Sequence, residues 1–459
     1  MATTTPSLPR QIPFIIGNEA CERFSFYGMR NILTVFLIDY LLRNELPDEE
    51  SRRAVAKGNF HLFVSAVYFF PLIGGYLADR YFGKYKLILW LSSLYCVGHA
   101  FLALFEGNKF GFYAGLGLIA LGSGGIKPCV SAMVGDQFDA SQKAQAGKVF
   151  AAFYWSINFG SFFASLLIPK VLKLYGPSVA FGIPGVLMFI ATVIFWAGRK
   201  HYVMVPPTGA NPHSFLKVVS SALTHRKPGV SHWLDGALSH HPPDSVQAVK
   251  SVFRIIVAFL PIPFFWALFD QKASTWVVQA KSMDLQVGSL TFEPSQMQLV
   301  NPVLVMVLIP LTTQVLYPFA RRLGFPLKPL SRMAGGMAIG ALSYVVAGLI
   351  QIPIEDGQRL SILWQLLPYL LLTLAEVLVS TTGLEFAYSQ APLSMKGTLM
   401  SLWNLTVTAG NLAVAFASYF AFFKGPSLFF FYAGLAGLAA VALAFIAKRY
   451  VMVDQFRAA

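Results

Sequence analysis

Apolar runs long enough to cross a bilayer recur along almost the whole chain, and this pattern constrains the fold more than any other feature. Read between charged residues, Gly and Pro, they fall near 12–40, 60–80, 85–105, 111–133, 146–174, 179–198, 251–280, 296–320, 331–351, 361–391, 397–423 and 427–447. A transmembrane helix needs about 20 predominantly apolar residues, and only helices or closed barrels satisfy their backbone groups in lipid. The chain is 56% hydrophobic and 12% charged, against about 25% charged in a soluble domain, so its 459 residues hold no polar shell for several soluble units. The expected fold is an all-α integral membrane protein with 12 transmembrane helices in two six-helix bundles, 1–200 and 250–459. A linker at 201–249 separates them. It holds six of the eight histidines (His201, His213, His225, His232, His240, His241) and reads as solvated, with room for a short surface helix.

The net charge of +14 would suggest nucleic acid in a soluble chain, but membrane proteins concentrate Lys and Arg in cytoplasmic loops. No nucleic-acid partner is expected. Placing the N-terminus inside puts 21 Lys and Arg in inner segments and 11 in outer ones, Lys272 among the latter, which favours both termini in the cytoplasm. Cys21, Cys96 and Cys129 lie in apolar stretches without CxxC spacing, so neither a disulfide framework nor a metal site is expected. The N-terminal stretch MATTTPSLPRQ lacks a basic n-region, so no cleaved signal is expected.

Three cations, Arg23, Arg30 and Lys127, remain inside spans. An ionisable group there costs about 2.5–3.5 kcal/mol on insertion scales, so those retained face wet cavities and do work. On the first span Glu19, Glu22, Arg23, Phe26, Tyr27 and Arg30 fall on one stripe at 100° per residue. Span four contributes Lys127, span seven Asp270 and span ten Glu376. Spans 1, 4, 7 and 10 each open a consecutive group of three, the layout of a transporter built from repeated three-helix units. Cations from one half and carboxylates from the other, with Arg30 facing Asp270 and Lys127 facing Glu376 as inter-bundle pairs, would suit a zwitterionic solute. Asp39 and Glu385 are expected at the ends of their spans. Gly-rich GSGG at 122–125 lacks the order of a phosphate loop and reads as helix packing.

The residues also resemble a known family. EACERFSFYG (19–28) is similar to the ExxERFxYYG motif of the proton-dependent oligopeptide transporters, within the major facilitator superfamily. GGYLADRYFGK (74–84) resembles that superfamily's loop between helices two and three. GSGGIKPCVSAMVGDQF (122–138), FYWSINFG (153–160), FWALFDQ (265–271), Asn301-Pro302, AEVLVS (375–380) and Trp403 resemble the family's later signatures. Two departures stand out: Phe26 replaces the first Tyr of the motif, and Asp270 stands where many relatives carry Glu.

The resemblance implies the major facilitator fold and import of di- and tripeptides with protons by alternating access. Arg23, Arg30 and Lys127 would hold the peptide carboxylate, and Glu376 the amino group, assisted by Asn158 and Asn301. Tyr27, Tyr68, Trp266, Ser380 and Trp403 would line the pocket, while Glu19, Glu22, Arg23 and Asp270 would couple the proton. The Asp79-Arg80 loop would latch the cytoplasmic face. Protons are the coupling ion and no cofactor is expected. The implied setting is a monomer in the plasma (bacterial inner) membrane. The alternative keeps the fold but moves another small solute, such as nitrate or an amino acid. An intramembrane enzyme is disfavoured because no Ser/His, metal or paired catalytic Asp constellation is visible across the spans.

Overall fold

The computed structural model describes residues 9–138, 143–209, 211–225, 232–324, 328–420 and 422–452. The N-terminal residues 1–8 and the charges counted at Arg226, Lys227 and Arg457 fall outside the described residues. Ten of the described helices are long and apolar enough to cross a membrane, and an eleventh span is bent by 48° between Pro243–Phe259 and Ile262–Lys281. The first helix, α1 (Ile12–Phe36), completes the twelve; Glu19, Glu22, Arg23 and Arg30 hold its hydropathy below the others.

In the N-terminal half α1 is followed by α2 (Glu49–Leu77), α3 (Lys84–Leu104), α4 (Lys109–Asp136), α5 (Lys143–Tyr175) and α6 (Pro177–Ala197). The start of α2 lies well before residue 60, where the apolar run begins. The Asp48 carboxylate caps it by accepting from Ser51 N at 2.8 Å, and Glu49 and Glu50 occupy its first turn, so polar turns project the helix past the apolar stretch. At Gly74 on α2 a Cβ would collide with the backbone of Gly125 on α4, so these glycines set a contact that no larger residue allows.

The linker carries α7 (Phe215–Thr224) and a short helical turn, Trp233–Ser239. Val218, Ala222, Leu234 and Ala237 are buried in the same core as Val249 and Val252 of the C-terminal half. The preceding segment is tied to the other half: Val203 N donates to Gln137 Oε1 at 2.9 Å, and Thr208 N to Asp79 O at 2.8 Å. The seventh span starts at Pro243, earlier than 251, because a proline fits a first turn that is still polar. It comprises α8 (Pro243–Phe259), α9 (Ile262–Phe269) and α10 (Thr275–Lys281), and it narrows into a tight turn at Asp270–Ala273. The remaining spans are α11 (Val300–Leu311) with α12 (Tyr317–Arg322), α13 (Pro329–Glu355), α14 (Leu366–Glu376) with α15 (Thr382–Gln390), α16 (Lys396–Phe420) and α17 (Gly425–Arg449). Between α14 and α15 the helix widens by one π-type turn at Val377–Thr381, immediately after Glu376.

Candidate functional site

The stripe on α1 is buried inside the protein. Glu19, Glu22, Arg23 and Arg30 are each less than a tenth exposed. The helix can approach α5 this closely because Gly160 offers no side chain; a Cβ there would lie 2.7 Å from Ala20 O and 3.2 Å from Arg23 Cβ. Arg23 Nε pairs with Glu19 Oε1 at 3.0 Å and with Glu22 Oε2. Lys127 on α4 stands with its Nζ 4.7 Å from the Phe26 ring centroid and 4.3 Å from that of Tyr68. Phe26 is buried and stacks on Phe63, so the position that lacks the motif's hydroxyl gives Lys127 an aromatic face instead.

Arg30 Nη2 reaches Asp270 Oδ1 at 2.6 Å, joining α1 to the turn of the seventh span. The shorter acid therefore reaches its partner. Asp270 Oδ2 accepts from Asn411 Nδ2 at 2.7 Å, Asn411 Oδ1 meets His61 Nδ1 at 2.7 Å, and His61 Nε2 meets Ser274 Oγ at 2.7 Å. This buried chain runs through α1, α2, α16 and the seventh span. Other ties cross between the halves from here to the end that carries the 42–48 and 282–293 loops. Thr34 Oγ1 donates to Ala273 O at 2.8 Å. Lys281 pairs with Asp39 at 2.5 Å, Lys173 with Glu293 at 2.8 Å and Lys424 with Glu50 at 2.7 Å. The halves are thus closed on each other at that end, and a 530 Å³ cavity lined by residues of both, including Arg53, Lys57, Gln271 and Glu355, lies among these ties.

On the C-terminal side Asn301 Nδ2 donates to Glu376 Oε2 at 2.8 Å and to Thr373 Oγ1 at 3.1 Å, while its Oδ1 accepts from Lys272 Nζ at 2.8 Å. Lys272, counted from the sequence as a loop cation, is only 5% exposed. It sits in the Asp270–Ala273 turn over the ring of Phe269. The turn is irregular backbone inside the protein, which a hydropathy reading cannot distinguish from the end of a span.

One sequence expectation is corrected. Lys127 and Glu376 form no pair: Glu376 is held by the Asn301 amide with Lys272 behind it, and Lys127 lies over the rings of Phe26 and Tyr68. Asn158 Nδ2 donates to Tyr154 O, one turn back on its own helix, at 2.9 Å. The pocket residues divide. Tyr27 lies within electrostatic range of Arg23, Arg30 and Glu376. Trp266 and Trp403 pack on each other at 6.1 Å and 84°, and Ser380 is half-buried in the widened turn after Glu376. At the linker end Arg80 lies over the rings of Tyr76 and Tyr81, and Lys84 bridges to Asp136 at 2.6 Å, a tie within one half. Glu385, at the same end, takes both carboxylate oxygens to Arg332 at 3.1 Å. His61, Asn411 and Lys272 escaped the sequence reading; an ionisable side chain within an apolar run was the available signal for His61.

These features define a membrane protein of two helical halves closed on each other at one end, with cations inside one half and a carboxylate inside the other. The chain belongs to the POT family, whose model matches residues 85–421. It is 39% identical over 370 residues to solute carrier family 15 member 2 of Mus musculus, covering 76% of this chain and 50% of that protein. It is 38% identical over 372 residues to peptide transporter 3 of Caenorhabditis elegans, covering 76% and 52%. The chain thus spans about half the length of the curated relatives it matches. Among solved structures, an auto-inhibited POT family peptide transporter superimposes with a TM-score of 0.92 at 49% identity, covering 98% of this chain and 99% of the other. The POT family transporter PepTSo gives 0.92 at 51% identity, covering 97% and 99%.

Proposed function

We propose that the protein is a proton-coupled symporter that imports di- and tripeptides by alternating access, with the 1–200 and 250–459 bundles rocking about the cleft. The observation that carries this reading is the separation of charge inside the protein, with Arg23 buried and Lys127 and Glu376 partly buried. Arg23 and Lys127 stand on one wall, Glu376 with Asn301 and Lys272 on the other, and the Arg30–Asp270 pair lies where the walls meet. A zwitterion entering this cleft meets a cation for its carboxylate and a carboxylate with an amide acceptor for its ammonium, each replacing water that it must shed.

Arg23, Arg30 and Lys127 bind the peptide carboxylate. Glu376 binds the amino group, assisted by Asn158 and Asn301, and Tyr27, Tyr68, Trp266, Ser380 and Trp403 meet the variable side chains. Peptide ammonium competes with Lys272 for the Asn301–Glu376 acceptors, so arrival of substrate releases a cation from the resting arrangement. Glu19, Glu22, Arg23 and Asp270 carry the coupling. A proton on either acid of the α1 stripe removes one of the two partners of Arg23 and loosens its hold, and a proton on Asp270 weakens the tie to Arg30 that closes the outer end. The protein works as a monomer in the plasma membrane with both termini cytoplasmic. The names of the relatives agree with a peptide substrate. Uptake of a labelled dipeptide into proteoliposomes, with and without an imposed inward proton gradient, tests the reading. Accumulation only with the gradient supports it. Uptake that is indifferent to the gradient removes the coupling, and no peptide uptake alongside nitrate uptake removes the substrate.

A further inference from the structure

The apolar residues of the linker helix cover one arc of about 160°. Val218 and Ala222 are buried against the C-terminal half at one side of it, and Phe215 and Val219 pack on the same core. At 100° per residue Leu216 and Leu223 lie 20° apart at the other edge of the arc, about 100–160° from the buried pair, next to the polar side formed by Lys217, Ser220, Ser221 and Thr224. Leu216 is 75% exposed and Leu223 51%. Beside them, in the Trp233–Ser239 turn, Trp233 is 44% and Leu238 45% exposed. The group is rigidly mounted: Phe253 of α8 meets both Phe215, at 5.6 Å, and Trp233, at 5.3 Å. On the seventh span Val257 and Leu260 are exposed as well.

Charge is biased around this surface. Among the described residues of 199–254, Arg199, Lys200, Lys217, Lys250 and Arg254 stand against Asp235 and Asp244, and the Lys250–Asp235 pair at 2.5 Å leaves four cations against one acid. Lys200, Lys217 and Arg254 are exposed. A soluble domain rarely leaves two leucines and a tryptophan uncovered beside such a cationic rim, whereas a helix lying in a membrane interface sinks its apolar face below the headgroups and keeps its cations among them. Trp favours the same depth.

We propose that α7 and the Trp233–Ser239 turn form a docking surface for the anionic phospholipids of the adjoining leaflet, with Leu216, Leu223 and Trp233 immersed and Lys217 among the headgroups. The C-terminal half is thereby held to the membrane surface through the linker as well as through its spans. This inference does not depend on which solute is carried.

The test places an environment-sensitive fluorophore at Leu216→Cys, with Thr224→Cys as the polar-face control, in a background with Cys21, Cys96 and Cys129 replaced by Ser. Each variant goes into vesicles of phosphatidylcholine alone or with one third phosphatidylglycerol, and monodisperse elution with an unchanged helical circular-dichroism spectrum serves as the check on folding. The expected result is a blue-shifted Leu216 label, quenched by lipid-borne nitroxide and several-fold less by aqueous iodide than the Thr224 label, with the protection greater in the anionic vesicles. Lys217→Gln should abolish that difference between lipids. A Leu216 label as open to iodide as the control in both vesicle types overturns the docking surface, and so implies a protein or no partner. Equal protection in the two lipids overturns the anionic assignment. Native mass spectrometry of the unlabelled protein gives a second reading, in which Lys217→Gln should retain fewer phosphatidylglycerol molecules than wild type, and an unchanged number counts against the proposal.

Discussion

Replacing Asp270 by Asn tests the closure of the end that carries the 42–48 and 282–293 loops most directly. In the closed arrangement Asp270 accepts from Arg30 at 2.6 Å and from Asn411 at 2.7 Å, and both members of the ion pair are less than a tenth exposed. Asp270→Asn keeps an oxygen for the Asn411 amide but leaves the Arg30 guanidinium buried without its counter-ion, over the ring of Phe60. Removing one partner of a buried pair costs about 3–5 kcal/mol. When that end opens, Arg30 regains water, so the cost falls on the closed state alone. At about 1.4 kcal/mol per decade, even 3 kcal/mol raises the open-to-closed ratio roughly 100-fold, turning a 99:1 closed population into a nearly even one. Pulsed electron resonance between spin labels placed on the two halves at that rim reads this population directly. The expected outcome is a new, longer distance in Asp270→Asn that is absent from wild type and largely suppressed in Asp270→Glu, which keeps the charge. Gradient-driven uptake should fall in the first variant and largely persist in the second. An unchanged distance distribution in Asp270→Asn would show that the pair does not hold the end shut.

Four further outcomes follow from the same geometry. Glu22→Gln should lose gradient-driven accumulation while keeping some peptide exchange between equal pools; normal accumulation removes Glu22 from the coupling. Glu376→Gln should weaken a free dipeptide far more than its N-acetylated form in a pair of affinity measurements, and equal losses would mean that this carboxylate does not read the amino group. Lys272→Gln, which removes the cation that Asn301 holds beside Glu376, should tighten binding of a free-amine dipeptide by about tenfold, or 1.4 kcal/mol, and an unchanged affinity would refute competition with Lys272. Glu50→Gln, in contrast, should change uptake only slightly, because the Lys424–Glu50 pair is more than half exposed on both sides and such pairs contribute about 0–1 kcal/mol.

The number of spans and the charged stripe of α1 were legible because both are local. A run of apolar residues fixes a span, and charges at 19, 22, 23 and 30 fall on one side of any helix that contains them. Helix starts were less legible at α2, where a capped, acidic first turn lies outside the apolar run. The Arg30–Asp270 contact could be anticipated from two charges in corresponding spans. The same reasoning misplaced Lys127 and Glu376, because side-chain partners depend on how the halves are tilted and on nearer competitors, here Asn301 for the carboxylate and two aromatic rings for the amine. Lys272 was hidden by the tight turn that follows Asp270, and the His61–Asn411 link by distance in sequence: its members are 350 positions apart and meet only after both halves have assembled.

The linker is fastened at both ends, to the N-terminal half through Val203 and Thr208 and to the C-terminal half through the buried face of α7. Between Thr208 and Phe215 run seven peptide units. At about 3.3–3.6 Å per residue their contour cannot exceed roughly 25 Å. That length is a hard stop on how far the two anchors can part at this end, independent of any ion pair. Lengthening the segment would widen the permitted swing, and shortening it by a few residues would restrain the swing without touching a residue of the cleft.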